Sequence, residues 1–338
     1  MHPGMLAPMT GGTTMIARRR FWRLLTAAAL LPAASKVVMA QGYPARPIRL
    51  VVGFPPGGPN DTLGRLIAQW LTQRLGQPVN VENKGGKSGN IATEEVVRAP
   101  ADGHTLLLCG PANAISGSLY PNLSFSFLRD IVPVAGVTRE PLVMVVHPSV
   151  PAKTVPEFLA HAKANAGAIK MASTGNGSSP HVTGELFKQM AGLSLDVVHY
   201  GGGGPALQAM IAGQAQMMFE PMSASIEPVR TGKLRALAVT TSERSAALPG
   251  IATLAESVPG FEASAVTGIG VPKGTPAEVV ETLNKAVQVA FADAAMKARL
   301  ADTGGAPLPG TAAEFAGLMA AETEKWGKVV KAAGIKAE

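Results

Sequence analysis

The stretch that decides the fold is Ile48-Arg-Leu-Val-Val-Gly-Phe-Pro-Pro-Gly-Gly-Pro-Asn-Asp61. It joins an apolar, strand-like run to a glycine turn, and a helical pattern with an apolar face follows it. The same order of strand, glycine turn and helix recurs around Ser173–His181 and around Tyr200–Pro205. Strands that alternate with helices predict an α/β fold with mostly parallel sheets that are covered by helices.

These three turns have the composition of sites that receive an anion. The start of a helix leaves backbone N–H groups unpaired and carries a partial positive charge. Glycine lets an anion approach that backbone closely, and no Arg or Lys lies inside any of the three turns. The sequence therefore predicts anion binding through backbone amides and not through basic side chains.

Residues 1–40 have the pattern of an export signal. A basic run, Arg18-Arg-Arg20, precedes an apolar run at 24–34 and a small-x-small cleavage motif, Val38-Met-Ala40. We expect cleavage after Ala40 and a periplasmic location. The arginine pair resembles a twin-arginine motif, so the sequence leaves the Sec and the twin-arginine routes open. No later stretch is a transmembrane candidate, and we expect no integral membrane segment in the mature chain.

The charge of the chain does not indicate nucleic-acid binding. The 338 residues carry a net charge of +7, but residues 1–40 hold five basic residues and no acid. Without them the chain has 25 basic and 23 acidic residues, and no basic stripe interleaved with aromatic residues is left. We therefore expect no nucleic-acid partner. The single cysteine, Cys109, ends an apolar run and is predicted to be buried in the core.

Two glycine motifs resemble nucleotide-binding sites. Gly86-Lys-Ser88 lacks the earlier glycine of a phosphate-binding loop, because Val81 stands in that place. Gly201-x-Gly203-x-x-Ala206, with Glu220 at the end of the next strand, has the spacing of a dinucleotide-binding unit. An exported dinucleotide-dependent oxidoreductase that uses Gly201–Glu220 is therefore kept as an alternative.

Other enzyme motifs are missing from the sequence. There is no Gly-x-Ser-x-Gly nucleophile elbow, and none of the six histidines has the His-x-x-x-His spacing of a metal site. We therefore predict no catalytic residues, no metal and no cofactor, and a protein that is not an enzyme.

Six ordered stretches resemble the Bug family of periplasmic solute receptors, which serve tripartite tricarboxylate transporters. The resemblance runs from about Tyr43 to Gly334. Its stretches are Pro55–Asp61, Pro100–Gly103, Gly177-Ser178-x-x-His181 with Glu185, Tyr200–Gly213, Gly232–Val239 and Gly268–Pro276.

The resemblance implies a two-lobed periplasmic binding protein of type II, the Venus-flytrap architecture. The chain crosses between the lobes near Leu142 and near Val266, so residues 43–142 and 266–338 form lobe I and residues 143–265 form lobe II. Such a receptor closes on a small carboxylate and delivers it to the permease subunits of a membrane transporter. A role as ligand sensor for a signalling kinase fits the same fold and stays open. We expect a monomer.

The candidate ligand-binding residues come from the three turns and from the strand after the third. They are Phe54, Gly57, Gly58, Asp61, Ser173, Thr174, Ser178, Ser179, His181, Tyr200, Gly203 and Glu220. Asp61 and Ser179 are also expected to be helix N-caps, and local backbone is an alternative partner for His181. If Glu220 lines the pocket, an amino group on the ligand would offset the cost of its buried charge.

Overall fold

The strands form one mixed sheet in the part of the chain that the computed structural model describes, residues 42–302 and 304–337. The sheet order is β2-β1-β3-β9-β4-β7-β5-β6, and β8 and β10 also pair with β4. The strands are β1 (Ile48–Val52), β2 (Val79–Asn83), β3 (Thr105–Cys109), β4 (Ile131–Val146), β5 (Lys170–Ser173), β6 (Asp196–His199), β7 (Met217–Pro221), β8 (Arg235–Val239), β9 (Ser264–Pro272) and β10 (Ala306–Pro307). The predicted export signal and its cleavage after Ala40 lie outside the described residues.

Helices cover both faces of this sheet. They are α1 (Pro59–Leu75), α2 (Asn90–Val97), α3 (Pro111–Leu119), α4 (Phe127–Asp130), α5 (Val155–Ala164), α6 (Ser179–Ala191), α7 (Gly203–Ile211), α8 (Met222–Arg230), α9 (Ala277–Ala290), α10 (Ala294–Asp302) and α11 (Ala312–Ala333). None of the described helices is both long and apolar enough to span a bilayer.

Two groups of parallel strands are joined by antiparallel ones. β1 pairs in parallel with β2 and β3, and β5 pairs in parallel with β6 and β7. β9 and β4 run antiparallel to their neighbours and connect the two groups. The predicted α/β class is confirmed, and the sheet is mixed. In each parallel group the carboxyl ends of the strands lie at one edge.

Strand β4 belongs to both groups. The sequence suggests two strands, at 131–137 and 142–147, but the structure has a single strand of 16 residues. Its residues up to Pro141 pair with β9, and its residues from Leu142 onward pair with β7 and β8. Bulges in the β4–β9 ladder absorb the apparent breaks around Gly136. Residues Tyr43–Glu338 form one compact unit, so the division into lobes stays a prediction.

Three apolar clusters hold the helices against the sheet. One packs α1 and α9 on β1, β3 and β9, and a second packs α7 and α8 on β4, β7 and β8. The largest lies on the opposite face and packs α2, α3, α6 and α11. Cys109 belongs to it, as predicted, and burial raises the pKa of the Cys109 thiol to about 12.

Candidate functional site

The first predicted turn is held in shape by Asp61. The carboxylate is 4% exposed, and its Oδ2 accepts hydrogen bonds from the Gly57 N–H and from Arg65 Nε, each at 2.9 Å. These bonds, the one from Arg65 foremost, lower the pKa of Asp61 to about 2. The N-cap of α1 is Gly58, so the expectation that Asp61 is the N-cap is wrong: Asp61 lies three residues further on and binds back to the turn.

A turn that sequence reasoning set aside packs against the first one. A Cβ added to Gly53 would lie 2.8 Å from the Cα of Gly89, so the two backbones meet where only glycine fits. Lys87 and Ser88 both have positive φ, 46° and 54°. Ser88 Oγ lies 3.1 Å from the hydroxyl of Tyr120. The glycines at 85, 86 and 89, placed directly after β2, were the pattern that could have identified this turn.

The second turn is tied to the third by a buried hydroxyl. The parallel register places Ser173 at the end of β5 opposite His199 at the end of β6. Ser173 is fully buried, and its Oγ lies 2.7 Å from His199 Nδ1. The same hydroxyl accepts a hydrogen bond from the N–H of Gly175 at 3.3 Å. Ser173 therefore fixes the relative position of the two turns.

Helix α6 begins one residue earlier than expected. Ser178 is the N-cap, and its Oγ accepts from the N–H of His181 at 3.3 Å. The prediction that Ser179 is the N-cap is therefore wrong, and Ser179 is the first helical residue. Pro180 then takes the second helical position, where its missing N–H removes no intrahelical hydrogen bond.

His181 is a buried, neutral imidazole. Its Nδ1 accepts from the N–H of Gly177 at 2.9 Å, which assigns the proton to Nε2. Nε2 lies 3.8 Å from Glu185 Oε1. Burial, followed by the nearby His199 and Lys188, lowers the pKa of His181 to about 4. Local backbone thus satisfies one ring nitrogen, as the alternative interpretation expected, while the N–H on Nε2 leaves a donor role in a cleft as a prediction.

The third turn brings Gly203 next to Glu220 and Thr174. A Cβ added to Gly203 would lie 3.5 Å from Glu220 Oε1 and 4.0 Å from Thr174 Cγ2. Tyr200 is half-buried before this turn. Glu220 is 2% exposed, and its Oε2 has no hydrogen-bond partner among the described residues. Burial, with a smaller contribution from Glu140, raises the pKa of Glu220 to about 8.

Sequence reasoning missed Glu140. It lies on β4 next to Pro141, where β4 changes partners. Its Oε1 accepts from the backbone N–H of Ser223 at 3.0 Å and from Ser223 Oγ at 2.7 Å, at the start of α8. Burial raises the pKa of Glu140. An acid between two apolar stretches of a strand was the feature that could have identified it.

The predicted residues therefore form two groups. Phe54, Gly57, Gly58 and Asp61 lie at the carboxyl edge of β1, and the other eight lie at the carboxyl edge of β5, β6 and β7. In residues 42–302 and 304–337 no hydrogen bond joins the two groups. A different contact connects the second turn to α3, because a Cβ added to Gly177 would lie 2.3 Å from Leu119 Cδ2.

A cavity of about 200 Å³ lies elsewhere, between α2, α3, α4 and the side of α11. None of the twelve predicted residues lines it. Its lining is uncharged and includes Asn113, Tyr120, Phe127 and Thr323.

The sheet order argues against a dinucleotide site at Gly201–Glu220. In a dinucleotide-binding unit the two strands joined by the first helix are neighbours, so the acid after the second strand reaches the ribose. Here β6 and β7 flank α7 in sequence, but β5 lies between them in the sheet. The carboxyl of Glu220 is also buried.

Comparison with known proteins identifies the family. The model of the TctC family, the tripartite tricarboxylate transporter family receptor, matches residues 63–335. The chain belongs to this family. It is 37% identical over 302 residues to the protein BugT of Bordetella pertussis, an alignment that covers 88% of this chain and 93% of that protein. The predicted resemblance to the Bug receptors is confirmed.

Solved structures of TctC-type proteins share the fold. An R. palustris protein with adipate has a TM-score of 0.79 at 33% identity, and the match covers 87% of this chain and all of that one. MatC from Rhodopseudomonas palustris, with bound malate, has a TM-score of 0.74 at 32% identity over 85% of this chain and all of MatC. The family and these relatives are binding proteins.

Proposed function

We propose that this TctC-family receptor works in the periplasm, where it captures a small carboxylate between two lobes and presents it to the permease subunits of a tripartite tricarboxylate transporter. Lobe I would comprise residues 43–142 and 266–338, and lobe II residues 143–265. The adipate and malate bound to relatives of about one-third identity support a carboxylate as the ligand class.

The observation that carries the proposal is the position of the three glycine turns. Each follows the carboxyl end of a parallel strand, and α1, α6 and α7 begin there. Helix starts offer backbone N–H groups and a partial positive charge to a carboxylate. Arg65, the basic side chain that reaches the first turn, is already paired with Asp61. The turns therefore support recognition by amides and hydroxyls.

In this proposal each turn contributes differently to the ligand. Gly57 and Gly58 would offer backbone to one end of the carboxylate, with Phe54 as an apolar wall. Thr174, Ser178 and Ser179 would supply hydroxyls, and His181 would donate through its Nε2–H. Ser173 acts mainly by holding its turn, because its hydroxyl already has partners within the chain. Asp61 holds the first turn through Oδ2, while its buried Oδ1 has no hydrogen-bond partner among the described residues.

Closure would use the two strands that connect the parallel groups. β4 changes its partners between Pro141 and Leu142, and β9 begins at Ser264 beside the same stretch. A rotation about these positions would bring the first turn towards the second and third. The ligand would favour the closed state because only that state contacts it from both sides.

Two experiments test the function. Mass spectrometry identifies small molecules that co-purify with the protein from its native host. A stability screen then compares carboxylates, including adipate and malate. A ligand present at one hundred times its dissociation constant adds about 2.7 kcal/mol to the free energy of unfolding. X-ray scattering should show a smaller radius of gyration with that ligand. If no acid in a broad panel changes the stability or the dimensions, the proposal is refuted.

Matched variants test the site. Thr174→Val keeps the shape of the side chain and removes its hydroxyl, so it should weaken the bound acid about tenfold, the loss of roughly one hydrogen bond. Thr282→Val, on the exposed face of α9, is the control, because the Thr282 hydroxyl bonds only to its own helix at Glu278 O. Equal affinities of the two variants would exclude Thr174 from the site.

A further inference from the structure

Glu220 is an acid at a place where the proposed function needs a hydrogen-bond donor. It is the penultimate residue of β7 and lies next to Gly203 of the third turn, which Thr174 of the second turn also approaches. No described residue forms a hydrogen bond or an ion pair with it. A buried carboxyl without partners is costly, so its presence in the candidate site calls for a specific physical role.

The surroundings of Glu220 do not stabilise a negative charge. The nearest charged influence is Glu140 on β4, which is itself an acid. Helix α7, which starts beside Glu220, carries no titratable side chain over residues 203–211. The elements packed against β7 are β4, β5, α6, α7 and α8. Their other titratable residues are Arg139 on β4, Lys170 on β5, His181, Glu185 and Lys188 on α6, and Glu227 and Arg230 on α8. One strand further away, beyond β5, lie His199 at the end of β6 and the following Tyr200.

The lysines and arginines in that set are paired with other acids or lie at the surface. Lys188 pairs with Glu185 at 2.7 Å, and Arg139 pairs with Glu262 at 2.8 Å. Burial and the neighbouring Glu140 carboxyl therefore disfavour the ionised form of Glu220 and raise its pKa to about 8. At neutral pH the side chain is a carboxylic acid with a hydrogen to donate.

We propose that Glu220 contacts the ligand as the neutral carboxylic acid and donates its hydrogen to a ligand carboxylate. This inference rests on the proposed carboxylate-receptor function and names the residue that replaces a basic side chain in it. An O–H···O⁻ bond is short and strong, and a carboxylic acid kept neutral by an apolar site is an effective donor to a developing or full negative charge. The ionised form would instead repel the ligand.

A different ligand would require the opposite state. A ligand ammonium group would pair with ionised Glu220, release a proton on binding and depend on the negative charge. Replacement by glutamine separates the two, because the amide keeps the shape and a donor N–H but never carries charge. Glu220→Gln should therefore preserve the binding of a plain dicarboxylate and abolish the binding of a cationic nitrogen.

The experiment is calorimetry with adipate and with malate between pH 6.5 and 9.5, in two buffers of different ionisation enthalpy. In the wild-type protein the affinity should be flat up to about pH 7 and fall about 30-fold by pH 9.5, with uptake of close to one proton per ligand at pH 9. Glu220→Gln should bind within about threefold of wild type at pH 6.5, without pH dependence or proton uptake. Glu227→Gln, an exposed acid on α8, should follow the wild type.

Two results would overturn the inference and leave the receptor function intact. One is a wild-type affinity that does not change with pH, and the other is an affinity of Glu220→Gln that is more than about tenfold weaker than wild type at pH 6.5.

If neither acid binds, the stability of the ligand-free protein tests the protonation state of Glu220. The pKa of Glu220 is about 8 in the folded protein and about 4.5 in the unfolded chain. Between these pH values the carboxyl ionises in the unfolded chain but stays protonated in the fold, so the free energy of unfolding falls as the pH rises. Wild type should lose stability relative to Glu220→Gln over that range, and parallel curves would refute a neutral Glu220.

Discussion

Replacement of Gly177 by alanine tests the contact between the second turn and α3. Gly177 has a φ of +69°, and a Cβ there would lie 2.3 Å from Leu119 Cδ2 and 3.3 Å from Cδ1. The positive φ alone costs an alanine about 1–2 kcal/mol. Displacing Leu119, which is 3% exposed, adds about 1–3 kcal/mol of overpacking. Gly177→Ala should therefore lower the free energy of unfolding by about 2–5 kcal/mol.

Gly192→Ala is the matched control, because Gly192 also has positive φ (+61°) but has open space where the Cβ would stand. It should cost only the conformational part, about 1–2 kcal/mol. In Gly177→Ala/Leu119→Ala the new methyl group occupies space that the leucine vacates, so the double variant should be at least about 1 kcal/mol more stable than additivity predicts. Urea unfolding of these three variants and of Leu119→Ala alone measures the losses. Equal losses at Gly177 and Gly192, or strict additivity, would refute the reasoning.

Two further substitutions and one labelling experiment probe single groups. Asp61→Asn removes the charge that accepts hydrogen bonds from the Gly57 N–H and from the largely exposed Arg65, and it should cost about 1 kcal/mol at pH 7 in urea unfolding. Because the folded-state pKa of Asp61 is depressed, this stabilisation is present above about pH 4 and is lost as the pH falls towards 2, so the two proteins should converge in acid. Ser173→Ala removes a buried hydroxyl that is hydrogen-bonded to His199 and should lower the free energy of unfolding by about 1–3 kcal/mol. Ser149→Ala is the control, because it removes a hydroxyl–histidine hydrogen bond at the surface, and it should cost at most about 0.5 kcal/mol. Cys109 should resist alkylation at pH 8 in native protein and react fully in urea; rapid native labelling would contradict its burial.

The strands and the helix that follows the first turn could be predicted because their apolar pattern is strong. Periodicity located β1, β3 and the buried face of α1 within a few residues. The prediction was less complete where local and tertiary preferences disagree. Helix α8 carries Pro228 in its interior and α3 carries Gly117, and both residues are typical of loops. Packing against the sheet keeps these two segments helical.

The candidate site was only partly accessible to sequence reasoning. The spacing of glycines identified the turns, since the chain must bend there. The bond between Ser173 and His199 depends on the register of β5 and β6, which the sequence does not state. The influence of Glu140 on Glu220 joins residues 80 positions apart through the β4–β7 pairing. Such effects belong to the assembled sheet and cannot be read from one segment.

The shared strand β4 has a consequence for redesign of this receptor. An insertion or deletion within Ile131–Val146 would shift the pleat of every strand bonded to it, on both sides at once. The glycine turns, in contrast, follow the ends of strands, so a change in their length leaves the register of the β-ladders unchanged. New ligand preferences should therefore be sought by exchanging whole glycine turns while the sequence of β4 is kept unchanged.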